Sequence, residues 1–283
     1  MWIDCHLHIS AHWQRPDQID DLVKEYRRVV DHVWAIGAPP PHTAGNPIVL
    51  RASRAHPGFF IPFACVDFSR PVSQIDRFRA LGFKGLKVLC ANGPLGSERA
   101  MPYYRRAQKL GMPVVFHTGS VPAPDPARPG LGVLTDYHPV ELEKIARACP
   151  DLYMVALHGG GFFWREALAV ALGSKNRRIY LALGDFDSAA GMHLDNLAAW
   201  DMAGLVQDRI VAGLDYPFAA SLCGEPKPFT PTALVLPAVQ KTALLAARLE
   251  IRLGTAWRDA VMGGNARRFE TLAGLITQGE RLP

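Results

Sequence analysis

Cysteine is sparse in this 283-residue chain: five residues, at positions 5, 65, 90, 149 and 223, with no C-x-x-C pair. That argues against a disulfide framework and points to reduced, mostly buried thiols. No apolar run reaches the roughly eighteen residues of a membrane span, and no basic segment followed by an apolar one precedes the first strand, so a cytoplasmic protein is expected. Basic runs are missing too. Lys and Arg number 31 against 26 Asp and Glu, yet they occur singly or in short pairs such as Arg27-Arg28 and Arg267-Arg268. Without basic residues interleaved with aromatics no nucleic-acid groove is expected, and the net charge of +5 reads as a solvated surface with at most a mild bias toward small anions. Two catalytic signatures are absent as well. No G-x-S-x-G elbow occurs, and the one Cys with an adjacent imidazole, Cys5 before His6, faces the opposite side of its strand, which disfavours covalent Ser or Cys catalysis. No G-x-G-x-x-G follows the first apolar run, which counts against a dinucleotide fold.

What is present is an ordinary globular composition, 49% hydrophobic and 20% charged. Short apolar or β-branched runs alternate with longer amphipathic ones. Strands are expected at Trp2 to His8, Val33 to Gly37, Phe59 to Asp67, Phe83 to Cys90, Val114 to Gly119, Tyr153 to Gly159, Ile179 to Asp185 and Ile210 to Tyr216. Helices are expected near 17–30, 46–56, 71–81, 97–111, 138–148, 162–172 and 193–206, several opened by Asp, Asn or Ser or by Pro in the first turn. Eight strands with a helix in each gap imply right-handed βαβ units and a parallel sheet closing into a (β/α)8 TIM barrel, with an open doubly wound sheet as the rival. The remainder, Ala233 to Leu253, Trp257 to Met262 and Asn265 to Leu275, reads as amphipathic helices added to the outer layer. No linker or low-complexity tract divides the chain, so a single domain over residues 1–283 is expected. Two long loops, Ser120 to Pro139 and Pro217 to Pro231, are candidate lids or binding loops.

Chemistry in such a barrel is built at the C-terminal ends of the strands. The first strand ends in Cys5-His6-Leu7-His8, and side chains at i and i+2 of a strand point the same way, so His6 and His8 can reach one ion together. The fifth strand ends in His117-Thr118-Gly119, the sixth in His158-Gly159-Gly160-Gly161 and the eighth in Asp215-Tyr216-Pro217. Each residue alone is more often structural; four strands placing His, His, His and Asp at the same end point to a metal site. The expected ligands are His6, His8, His117 and Asp215. Imidazole and carboxylate donors suit one divalent ion, taken as Zn2+, with Mn2+, Fe2+ or Co2+ admitted by the same set. Asp215 can instead act as general base toward water, and His158 as electrophile or general acid, or as a further ligand or a core His.

Lys87, on the fourth strand, reads as an ammonium for a substrate carboxylate or as a mid-strand structural Lys, with a carbamylated Lys bridging two ions as a further alternative. Phe162, Phe163, Trp164 and Arg165 follow the triglycine and offer an aromatic wall with a cationic end for a flat or cyclic carboxylated substrate, or simply pack a helix onto the barrel. His12, His32, His42, His56, His138 and His193 lie off the strand ends and are read as surface or capping residues, although His12 and Trp13 could line the mouth.

Taken in order, Asp4-Cys5-His6-Leu7-His8, Gly82-Phe83-Lys84-Gly85-Leu86-Lys87, His117-Thr118-Gly119, His158 with its triglycine, Asp215-Tyr216-Pro217 and Gly264-Asn265-Ala266-Arg267-Arg268-Phe269 resemble the landmarks of the amidohydrolase superfamily, in its amidohydrolase-related branch. The resemblance spans residues 3 to 269. It implies that His6, His8, His117 and Asp215 bind the metal and that His158 assists catalysis. It also implies amide, ester or lactone hydrolysis or non-oxidative decarboxylation; the triglycine is similar to that of the aminocarboxymuconate semialdehyde decarboxylase group. The expected reading is a metal-dependent hydrolase in which activated water attacks a small cyclic or carboxylated substrate. A decarboxylase is the alternative and a catalytically inactive ligand-binding barrel a third. The expected partner is a small-molecule substrate, with no nucleic acid and no membrane, and a homo-oligomer is admitted.

Overall fold

The computed structural model describes residues 2–9, 16–37, 45–89, 93–119, 133–174, 177–183, 201, 204–205, 207–215, 243 and 245–276. Its strands are β1 (Trp2–His8), β2 (Val30–Ile36), β3 (Phe60–Cys65), β4 (Gly85–Val88), β5 (Val114–His117), β6 (Met154–Leu157), β7 (Ile179–Leu183) and β8 (Ile210–Ala212). Helices α1 (Pro16–Tyr26), α2 (Asn46–Ala55), α3 (Gln74–Leu81), α4 (Met101–Lys109), α5 (Glu141–Ala148) and α6 (Trp164–Gly173) follow β1 to β6 in turn. The eight strands form one sheet in the order β1 to β8. β8 meets β1, where the Asp215 N–H donates to the His6 carbonyl at 2.8 Å. This is the (β/α)8 TIM barrel expected; a doubly wound sheet would reverse its strand order.

The strands are buried on both faces, as parallel strands covered by helices must be. Their composition follows: β7 reads Ile-Tyr-Leu-Ala-Leu with every residue buried. Helix boundaries follow local chemistry. Pro47 and Pro102 sit in the first turns of α2 and α4, and Gly82 ends α3 with a left-handed φ of 105°. Most strands end a residue or more before the expected limit, and at β5 a side chain takes over the hydrogen bonding. Thr118, one residue past β5, donates its hydroxyl to the Leu157 carbonyl at 2.6 Å.

The described residues fall into two compact units, Met1–Phe63 with Leu183–Pro283, and Ala64–Ala182. In the first, Trp34 packs between Phe63 and Phe269, with ring centroids 5.2 Å from each. After β8 this unit carries helical residues 245–253, α7 (Thr255–Asp259), a π-turn at Ala260–Gly264 and α8 (Asn265–Leu272). In the second, Phe68 packs on Tyr103 and Tyr104 on Phe116, at 4.7 and 5.4 Å.

β2 begins three residues before the expected Val33, and this corrects the reading of His32. His32 is fully buried rather than a surface or capping residue, because its Nε2 lies 2.7 Å from the buried carboxylate of Glu270 on α8. Asp31 beside it pairs with Arg267. The helix expected at 193–206 and the two expected loops lie wholly or largely outside the described residues, as do His12, Trp13, His42, His193, Cys90 and Cys223. Among the described residues no helix is long and apolar enough to cross a membrane.

Candidate metal centre

At the end of β1 the Nε2 atoms of His6 and His8 lie 3.0 Å apart. Oδ1 of Asp215 is 3.0 Å from the first and 3.4 Å from the second, and all three residues are buried. Three ligand atoms within 4.8 Å of one another form a group that could hold a metal ion. The spacing fits. At metal–ligand distances of roughly 2.0–2.1 Å, neighbouring donors stand about 2.9 Å apart in an octahedron and about 3.4 Å in a tetrahedron. The tautomer fits as well. His8 Nδ1 lies 3.0 Å from the Ile36 carbonyl, so Nδ1 carries the proton and donates it, leaving an Nε2 lone pair toward the other two donors.

The backbone is shaped around this group. β1 loses register with β2 between Asp4 and Leu7, leaving Cys5 and His6 out of the ladder, the signature of a bulge. Asp4 takes up the freed groups: its Oδ1 accepts from the His6 N–H at 2.9 Å and the Leu214 N–H at 3.0 Å, and its Oδ2 from the Tyr26 hydroxyl at 2.6 Å. Burial raises the Asp4 pKa to about 6, against the lowering pull of these three donors. Gly213 lets β8 press against β1, since a Cβ there would lie 2.6 Å from the His6 Cβ. Asp215 itself has φ +51°, a left-handed conformation uncommon outside glycine.

The second unit brings together the other two histidines of the reading. His117 closes β5 and His158 follows β6, with His158 Nε2 3.2 Å from His117 Nδ1 and ring centroids 4.6 Å apart. His158 has φ +62° and leads into three glycines that also have positive φ. At Gly119 a Cβ would lie 2.8 Å from the Gly160 carbonyl oxygen, so the two strand ends touch through backbone. The Gly160 N–H donates to the Thr118 hydroxyl at 3.1 Å, fastening the turn. Lys87 is buried in β4. Trp164 opens α6 with the exposed Arg165 guanidinium 4.5 Å over its ring. Phe162 is exposed, whereas Phe163 packs on His138 at 4.3 Å.

The structure therefore groups His6, His8 and Asp215 in one unit and His117 with His158 in the other. Sequence reasoning gave no role to Asp4, Tyr26, Glu270 or Gly213. Asp4 stood in the quoted motif, and its place two residues before His6 was the available signal; the others have partners distant in sequence.

A family model described as amidohydrolase matches residues 3–269. No curated protein sequence matches significantly. Solved structures do. An uncharacterized TIM-barrel protein from Bordetella bronchiseptica is 18% identical, covering 96% of this chain and 99% of its own, with TM-score 0.63. A probable 2-pyrone-4,6-dicarboxylic acid hydrolase from Acinetobacter baumannii, with citric acid bound, is 13% identical over 96% and 99%, with TM-score 0.62. A 2,6-dihydroxybenzoate decarboxylase from Rhizobium is 15% identical over 96% and 98%, with TM-score 0.59. At such identities the likeness speaks for the fold.

Proposed function

Since the chain belongs to the amidohydrolase family, whose members are hydrolases or decarboxylases, we propose that it is a metal-dependent hydrolase of a small cyclic or carboxylated substrate, cleaving an amide, ester or lactone bond. The observation that carries this is the convergence of His6 Nε2, His8 Nε2 and Asp215 Oδ1. These residues would hold one divalent ion, for which Zn2+ is the conservative assignment. A bound ion of this kind supplies a Lewis acid and lowers the pKa of coordinated water from about 16 toward about 7. Asp215, whose Oδ1 faces the two imidazoles, would take a proton from the attacking water and return it to the leaving group. His8 keeps its Nε2 lone pair because its Nδ1–H is spent on Ile36. The sequence resemblance adds His117 to the ligands and gives His158 the task of polarising or protonating the substrate, with Lys87, Trp164 and Arg165 as candidate contacts to its ring and carboxylate.

A second reading is a metal-dependent decarboxylase, in which Asp215 or His158 protonates carbon. The triglycine at 159–161 favours it, and a 2,6-dihydroxybenzoate decarboxylase shares the fold.

Elemental analysis of protein purified without added metal or chelator is expected to find about one Zn, Mn or Fe per chain, lost in His6→Ala. The loaded enzyme is then offered small lactones and aromatic carboxylates in 18O-labelled water. Label in the product supports hydrolysis, and CO2 release with no label in the organic product supports the decarboxylase. A folded protein that takes up no divalent ion would refute both.

A further inference from the structure

The ligand set sits on a seam between the first and last strands of the sheet, beside the bulge in β1. At the seam one side chain joins the two strands. Asp4 Oδ1 accepts two backbone N–H groups, that of the ligand His6 on β1 and that of Leu214, which immediately precedes the ligand Asp215. A return bond, from the Asp215 N–H to the His6 carbonyl at 2.8 Å, closes the ring of contacts. Asp4 is only 3% exposed, so these bonds are not exchanged with water. Its second oxygen is claimed by the Tyr26 hydroxyl at the end of α1, which stops the carboxylate from rotating off the two N–H groups.

We propose that Asp4, locked by Tyr26, is the positioning residue that sets the separation of the metal ligands across the β1–β8 seam. The proposal rests on the reading that His6, His8 and Asp215 hold an ion. Several features make the seam need such a tie. The bulge leaves the His6 N–H outside the strand ladder, and Asp215 is held in a left-handed backbone conformation that relaxes if Leu214 is released. Gly213 supplies no side chain to wedge the strands at a fixed distance. Carboxylates and hydroxyls that orient ligands in this way typically change metal affinity 10- to 100-fold when removed.

The test uses the full chain stripped of metal, with Zn2+ affinity read by competition against a chromophoric chelator and Co2+ geometry read from its visible absorption. Asp4→Ala is expected to weaken Zn2+ about 10- to 100-fold and to change the Co2+ bands. Asp4→Asn is expected to restore most of both, because its amide oxygen still accepts from His6 and Leu214. Tyr26→Phe, which deletes a single hydroxyl, is expected to shift the Co2+ bands in the same direction with a smaller loss of affinity. A residue that merely holds the fold would lower the melting temperature of the metal-free protein and leave the Co2+ spectrum of the folded fraction unchanged. That result for Asp4→Ala would overturn the proposal. If Asp4→Ala fails to fold, Tyr26→Phe decides, and a wild-type spectrum in that variant would overturn it. Wild-type protein that binds neither Zn2+ nor Co2+ would instead refute the metal reading, and the positioning role with it.

Discussion

Glu270 has no exposed surface, and its Oε1 accepts from His32 Nε2 and Trp34 Nε1, each at 2.7 Å. A buried carboxylate persists only where such donors replace water, so removing the acceptor leaves two buried N–H groups unsatisfied. Glu270→Ala is expected to lose about 3–5 kcal/mol of stability. Glu270→Gln, which keeps one oxygen in place, is expected to lose about 1–3 kcal/mol. Urea midpoints of the two variants give the comparison, and equal, small losses would show that the pair contributes little. Cys5 lies in the same surroundings: burial first, and the nearby Glu270 charge second, push its thiol well above the usual range, so slow labelling by iodoacetamide in the native state is expected. Gly213 is a purely steric case. Gly213→Ala would place a methyl group 2.6 Å from the His6 Cβ and force β1 and β8 apart, so its Zn2+ affinity should fall even if the variant folds. Unchanged Zn2+ binding would mean that the seam yields without moving the ligands.

Among the elements, α8 does more than cover the sheet. Asn265 donates its amide to the Ile210 carbonyl of β8 at 2.8 Å, while Glu270 and Phe269 hold β2 through His32 and Trp34. One helix thus ties the two strands that flank β1. Ending the chain at Gly264 removes all of these ties and is expected to abolish the cooperative thermal transition. A truncated protein that melts like the full chain would show that α8 is dispensable. These contacts also explain how far the sequence could be read. The order of strands and helices was legible because each announces itself locally, by apolar runs, caps and Pro or Gly punctuation. The grouping of His6 with His8 was legible because their relation is local to one strand, and that of Asp215 with them because strand ends share one face of a barrel. His32 was misread because its partner lies 238 residues away, and a polar pair such as Asp31-His32 looks like the end of a loop until that partner is known. The seam tie from Asp4 was silent for the same reason, since Leu214 is 210 residues distant.

For the whole molecule the decisive quantity is the linkage between metal and stability. An ion that binds the folded chain and not the unfolded one adds about 2.7 kcal/mol at a hundred times its Kd and about 4.1 kcal/mol at a thousand times. For a chain of this size each kcal/mol is worth roughly 2–4 °C of melting temperature, so adding Zn2+ to chelated protein should raise the midpoint by about 5–15 °C. His6→Ala should remove the increment without removing the fold. Where the protection appears tests the ligand set itself. His6, His8 and Asp215 belong to the unit formed by Met1–Phe63 and Leu183–Pro283, and His117 to the unit Ala64–Ala182. If the ion is held by the first three alone, amide hydrogen exchange should slow on metal addition along β1, β2 and β8 and stay unchanged along β5. If His117 is a fourth ligand, β5 should slow with them, and His117→Ala should cancel that part of the protection while leaving part of the β1 effect in place. Protection confined to β5, or absent from every strand at saturating Zn2+, would contradict a site built on the β1 histidines.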